Sequence, residues 1–144
     1  RERDMSTRTR SYGVAEFQAA GAPGLAGRLD LRVAEVGEGR VVIEQTVDPT
    51  LFNPMGQLHG GAIVALADTA MGYGCVAHLP EDARAFTTIE LKSNFLGTAT
   101  EGTLVATATP VHLGRTTHVW DCEVVHRESG RRLALLRATQ LLVR

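Results

Sequence analysis

Two stretches of this sequence hold residues that could do chemistry, and the first is a single carboxylate. Asp68 is the only charge among the 18 residues from Gly60 to Ala77. Burying an ionised aspartate without a partner is unfavourable by several kcal/mol, so such groups end up paired, neutralised or functional. Its neighbours at helical spacing are Val64, Ala65, Met71 and Gly72, none of them basic. Two readings follow: a structural aspartate bonded to backbone or water, or a carboxylate acting as base or nucleophile in a partly dry cleft. The second stretch is His59-Gly60-Gly61, at the start of the same run. A helix N-terminus there would expose unpaired N–H groups and about half a positive charge. Glycines, having no Cβ, let a substrate approach that backbone closely. Such a terminus can serve as an oxyanion hole for a tetrahedral acyl intermediate. Alternatively, the glycines only permit a tight junction between loop and helix.

The elements that must position these groups are legible from periodicity. Gly13 to Ala20 reads as a short helix closed by Gly21. Arg28 to Val36 alternates, placing Leu29, Leu31 and Val33 on one face of a strand. Gly37-Glu38-Gly39 is a turn, and Arg40 to Val47 returns to make a hairpin. Asp48 to Leu58, with two prolines, an asparagine and a glycine, reads as a loop. A helix is expected from about His59 to His78, stopped by Pro80, and it carries apolar residues around nearly its whole circumference. Such a helix has no polar face for solvent, so a sheet should wrap it on nearly all sides. Strands are expected at Phe86 to Leu96, Gly102 to Leu113, Arg115 to Arg127 and Arg131 to Val143. The architecture is α+β: one antiparallel sheet curled around a buried helix. Residues 1–27 form a tail with a short helix, and residues 28–144 form a single domain.

Bulk properties exclude several alternatives. A chain of 144 residues suits one domain with a real core. A formal net charge of -1 gives no electrostatic reason to expect nucleic acid. Cys75 and Cys122, the only two cysteines, are too few for a disulfide framework and are expected reduced and buried. The polar, Arg-rich start lacks the apolar run of a signal peptide, and Met5 is a candidate native start. The run from Gly60 to Ala77 holds four glycines and an aspartate, which argues against a membrane span. A cytoplasmic location is expected. The remaining histidines lack metal-ligand spacing, so no metal is expected.

Taken together, Asn53-Pro54-Met55-Gly56-Gln57-Leu58-His59-Gly60-Gly61 and the following Leu66-Ala67-Asp68 resemble the PaaI-like group of hotdog-fold acyl-CoA thioesterases. The pattern is an Asn, then Gly-x-x-His-Gly-Gly, then Leu-x-Asp. The likeness continues through Thr87 to Leu96 and the Gly114-Arg115-Thr116 step, covering roughly residues 28 to 143. The resemblance implies hydrolysis of an acyl- or aryl-acyl-CoA to free acid and CoA. It also implies that the Gly60 N–H and the Asn53 side chain polarise the thioester carbonyl. In the same way, Asp68 would activate water or attack directly, and Thr88, a serine in some relatives, would help hold the water. His59 is expected to orient Asn53 or the loop. Arg115, at the Gly114 turn, is a candidate for the CoA phosphates with Thr116 as a hydrogen-bond donor; a solvated hairpin arginine is the competing reading. No cofactor is expected, coenzyme A being part of the substrate.

Geometry then calls for a second copy. Gly60 and Asp68 lie eight residues apart on one helix, roughly 12 Å along the axis at ~1.5 Å per residue. An aspartate cannot reach a carbonyl held at its own helix N-terminus. Antiparallel helices from two protomers could bring Asp68 of one beside Gly60 of the other, so a homodimer or homotetramer is expected. The competing functions are a hotdog hydratase or dehydratase, which usually needs a histidine opposite an acid, and a non-catalytic acyl-CoA-binding protein.

Overall fold

The computed structural model describes residues 12–144; the expected tail at residues 1–11 lies outside them. Its elements run α1 (Val14–Gly21), α2 (Leu25–Arg28), β1 (Arg32–Gly37), β2 (Arg40–Thr46), a 3-10 turn (Pro49–Leu51), α3 (Gly60–Ala77), β3 (Ala85–Phe95), β4 (Thr103–Leu113), β5 (Thr117–His126) and β6 (Arg132–Val143). The six strands make one sheet in the order β1-β2-β4-β5-β6-β3, antiparallel throughout. Helix α3 crosses its inner face. This is the α+β, one-sheet and one-helix arrangement that the resemblance implied.

The first strand starts later than its alternation suggests. Leu25–Arg28 is a helical turn, closed by Leu31 N–H donating to Ala26 C=O and Asp30 N–H donating to Gly27 C=O. That pair of bonds is a Schellman closure, and it puts Asp30 in the left-handed region at φ 54. Leu29 and Leu31 still face the core, so the alternation is preserved although the backbone is not extended. The period reports which side chains are buried, and here a helix end buries the same ones.

Inward residues of the strands alternate as expected. Leu104, Ala106 and Ala108 of β4, Trp120, Cys122 and Val124 of β5, and Leu136 and Ala138 of β6 are buried against α3. On α3 the buried set is Ile63, Leu66, Ala67, Ala70, Met71, Gly72, Gly74 and Cys75. Each large side chain among them contributes about 1.5–3 kcal/mol of burial. Gly74 lets Trp120 in: a Cβ at that position would lie 2.6 Å from the indole ring.

Burial of α3 is one-sided, which corrects the expectation of a helix wrapped on nearly all sides. Val64, Ala65, Asp68 and Thr69 are only half-buried, and Gly61 is exposed. The sheet curls around one face of the helix, and the opposite face, which carries Gly61, Val64, Ala65, Asp68 and Thr69, stays open in a single chain. By length and composition α3 could cross a membrane, but its apolar side is the one packed on the sheet.

The two sheet edges are treated differently. Beside β1, Gln18 of α1 accepts from Val33 N–H at 2.8 Å and donates to Leu31 C=O at 3.0 Å. Phe17 anchors that helix by stacking on Tyr73 of α3, ring centres 4.6 Å apart. At the other edge, β3 pairs only with β6 among the described residues, and Ile89 (57 %), Phe95 (52 %) and the adjoining Leu96 (52 %) are exposed. That strand also carries exposed Glu90 and Lys92, and its unpaired backbone groups are a template for further strand pairing.

Candidate active site

Helix α3 begins where the sequence suggests, and its first turn explains the two glycines separately. His59 is the N-cap, its Nδ1 accepting from Gly61 N–H at 2.8 Å. A Cβ on Gly61 would strike that ring at 2.9 Å. A Cβ on Gly60 would come within 3.1 Å of the Phe95 ring at the end of β3. Both glycines therefore permit a tight junction. Among the described residues, however, the Gly60 N–H has no acceptor, which leaves one of the orphan donors of the helix start available.

His59 is committed to its own helix. Its backbone N–H donates to Leu51 C=O at 2.8 Å, tying the loop to α3, and no hydrogen bond joins it to Asn53. The histidine thus orients the loop through its backbone, while its ring caps the helix.

Asn53 heads the loop. Its Oδ1 accepts from Met55 N–H at 2.9 Å and from Gln57 N–H at 3.2 Å. Those two donors fix which end of the amide is oxygen, so Nδ2 is the free donor. An amide N–H donor and a backbone N–H donor therefore belong to one loop–helix junction, the inventory an oxyanion hole requires.

Asp68 lies two turns further along, on the open face of α3. Among the described residues it makes no hydrogen bond and no ion pair, so no backbone group of the chain holds it. Thr69 is not its partner, because the Thr69 hydroxyl donates to Ala65 C=O at 2.7 Å. Removal from water raises the Asp68 pKa above its ordinary value of 3.8, and among the described residues no cation lowers it. A carboxylate made more basic by its surroundings, with no partner among the described residues, is suited to taking a proton.

Strand β3 runs alongside. Phe86 packs over Gly72 and Phe95 over Gly60, so Thr88 between them passes α3 near the level of Asp68. Thr88 lies opposite Gln140 of β6, on the helix-facing side, and the register slips just after it to leave Ile89 unpaired. Bulges of this kind re-aim a side chain at a sheet edge.

The remaining candidates sit elsewhere. Gly114, Arg115 and Thr116 form the β4–β5 turn, at the end of the sheet away from Gly60. Arg115 and Thr116 are exposed, and Arg144 holds the turn by donating to Arg115 C=O at 2.7 Å. The single chain therefore gathers Asn53, His59 and Gly60 at one end of α3, Asp68 and Thr88 midway, and the arginine turn at the other end. A groove of about 680 Å³ on the outer face of the sheet, lined by Lys92, Asn94, Asp121 and Arg137 among others, is remote from all of them. Among the described residues no three His, Cys, Asp or Glu side chains cluster as metal ligands. Cys75 and Cys122 are free and buried, with burial raising both thiols to about 12, out of reach of nucleophilic chemistry.

The sequence alone assigns no role to Phe95 or Gln140 and points to His118 only as a histidine without metal-ligand spacing. The signal for Gln140 was present: it interrupts the inward apolar series Leu136, Ala138, Leu142.

Comparison with known proteins decides the family. Residues 55–133 match the model of the thioesterase superfamily. The chain belongs to that superfamily. It is 36 % identical over 110 residues to the acyl-coenzyme A thioesterase PaaI of Escherichia coli, covering 76 % of this chain and 75 % of that one. The solved structure of E. coli PaaI superposes with a TM-score of 0.80 at 26 % identity, covering 98 % and 96 % of the two chains. Against 1,4-dihydroxy-2-naphthoyl-CoA hydrolase of E. coli, identity is 30 % over 137 residues, 93 % of this chain and 97 % of the other. A thioesterase of Pseudomonas aeruginosa, PA1618, gives a TM-score of 0.86 at 26 % identity, with 92 % and 95 % coverage. This PaaI-like hotdog protein is a thioester hydrolase.

Proposed function

We propose that this thioesterase cleaves acyl-CoA or aryl-acyl-CoA thioesters at a site shared between two copies of the chain. The observation that carries the reading is Asp68: a half-buried carboxylate with no partner among the described residues, on the uncovered face of α3, beside the exposed edge strand β3. Pairing of two β3 edges would set two α3 helices side by side and antiparallel, with Asp68 of one copy facing the Gly60 end of the other. Two-fold symmetry then makes two equivalent sites, in a dimer or a dimer of dimers.

The thioester oxygen would accept from Gly60 N–H and from Asn53 Nδ2. Asp68 of the opposite copy would take a proton from water as the water oxygen bonds to the carbonyl carbon. The resulting oxyanion, held by the two donors, would collapse by breaking the C–S bond, and the departing CoA sulfur would take the proton back from Asp68. Direct attack by Asp68, through a mixed anhydride hydrolysed in a second step, uses the same groups. Thr88 would hold the water, and Arg115 with Gly114 and Thr116 would meet the CoA phosphates as charge-assisted contacts. CoA arrives as part of the substrate, so no separate cofactor is involved. A relative acting on a naphthoyl thioester and another named for acyl-CoA support both acyl classes. The proposed setting is the cytoplasm, with neither nucleic acid nor membrane as partner.

The test is a panel of acyl-CoA esters with free-thiol detection on wild type and Asp68→Ala. A fall in kcat of ~10²-fold or more is expected for losing a positioned base or nucleophile. Wild-type turnover by Asp68→Ala would overturn the assignment, and hydration of crotonyl-CoA faster than thioester cleavage would favour a hydratase.

A further inference from the structure

Two phenylalanines of β3 lean on glycines of α3, and they are not equivalent. Phe86 packs over Gly72, where a Cβ would lie 3.2 Å from its Cζ. That glycine is buried and the ring is packed against the core, so packing accounts for the contact. Phe95 packs over Gly60 in the same way, with Cζ, Cε1 and Cε2 at 3.1, 3.4 and 3.5 Å from where a Cβ would stand. Phe95, however, is 52 % exposed, so packing leaves about half of its surface unused.

The place of that ring is the informative part. Phe95 lies opposite the fully buried Ala134, which puts its side chain on the helix-facing side of the sheet. The residue it touches, Gly60, has an N–H without an acceptor among the described residues. A carbonyl oxygen taking that N–H would hold its carbon about 4 Å from the nitrogen. Ring and donor thus meet on one residue, and both belong to the same chain. The loop that directs Asn53 Nδ2 also carries Met55, which is 85 % exposed. Each of the two donors therefore has an open apolar side chain in its own stretch of structure.

Two groups hang on a thioester carbonyl. The sulfur leads into the pantetheine arm of CoA, whose amides need hydrogen-bond partners that a phenyl ring does not supply. The other side is the acyl group, and carbon beside the carbonyl gains from contact with an exposed ring. A carboxylate at that point would lose hydration against the ring and receive nothing in return.

We propose that Phe95 is a specificity-determining residue: its ring contacts the acyl carbons next to the thioester carbonyl and selects apolar acyl groups over charged ones. This rests on the roles given above to Gly60 and Asn53.

The experiment measures kcat/KM and Tm for wild type, Phe95→Ala, Phe95→Leu and Phe86→Leu. The substrates are acetyl-CoA, malonyl-CoA and the larger apolar acyl-CoA, butyryl or phenylacetyl, that wild type cleaves faster. Wild type should favour the larger apolar substrate over malonyl-CoA by about tenfold or more. In Phe95→Ala the ratio of the larger apolar substrate to acetyl-CoA should fall about tenfold, and in Phe95→Leu by a smaller factor. Phe86→Leu should lower Tm while keeping the wild-type ratio. If Phe95→Ala does not fold, Phe95→Leu, which keeps most of the apolar volume, decides the matter. An equal fall on all three substrates would mean that the ring only shapes the Gly60 donor, and would overturn the inference. So would an unchanged ratio in the Phe95 variants, an equal change of ratio in Phe86→Leu, or a wild type that cleaves malonyl-CoA as well as the apolar substrate. If Asp68→Ala abolishes activity while the Phe95 variants keep the wild-type ratio, only this inference falls. A wild type that cleaves no thioester removes the proposed function and this inference together.

Discussion

Asp68 carries a consequence for stability as well as for catalysis. Its pKa is raised in the folded chain by desolvation, so folding favours the protonated form. The folded state then binds more protons than the unfolded state between the ordinary value of 3.8 and the raised one. Stability falls as pH rises through that window, and the cost is fully present above it. Asp68→Asn should therefore have a higher Tm than wild type at neutral pH, with the difference shrinking below pH 3.8. Thermal melts across pH check this; an equal or lower Tm at neutral pH would mean the carboxylate has a compensating partner. The same shift moves the acid limb of kcat/KM upward from the ordinary aspartate value of 3.8, because the base must be ionised to act. His59 illustrates the opposite lesson. A histidine in a catalytic-looking motif turns out to spend its ring nitrogen on a helix cap, a role that residue type alone could not reveal.

Helix α3 works because small residues stand where neighbours press closest. Gly74 faces Trp120, Gly72 faces Phe86 and Gly60 faces Phe95. Gly74→Ala is the sharpest probe, since its new methyl carbon would sit 2.6 Å from a fully buried indole ring. Overpacking of this kind costs about 1–3 kcal/mol, which lowers Tm by several degrees in a domain of this size. A Tm within a degree of wild type would show that the ring moves aside freely. Periodicity located α3 and strands β3 to β6 to within a residue or two, because strands buried on one face alternate and an apolar helix does not. It missed the turn at Leu25–Arg28, where a left-handed Asp30 preserves the burial pattern without an extended backbone. It also missed the slip at Ile89, since a bulge changes pairing without changing residue types.

The two sheet edges bear on how copies of the chain meet. One is occupied by Gln18 of α1, while the other presents Ile89, Phe95 and Leu96. If two β3 edges pair, each site takes Asp68 from one copy and Asn53 with Gly60 from the other. Mixing inactive Asp68→Ala with inactive Asn53→Ala protein should then restore about a quarter of wild-type activity. After random exchange half the dimers are mixed, and each mixed dimer has one intact site of two. Absence of rescue despite demonstrated subunit exchange would place the whole site within one chain.

By itself the sequence determined the inventory: a lone acid in an apolar helix, a glycine-rich helix start, an asparagine ahead of it, and the order of strands around them. These follow from local chemistry and period, which a linear string carries in full. Only the tertiary structure decided that Asp68 has no partner among the described residues, that one face of α3 is left open, and that Gln140 and His118 line up with Thr88. Those are facts of strand register and side-chain direction, set by residues far apart in the chain, and a one-residue slip in pairing would reverse them.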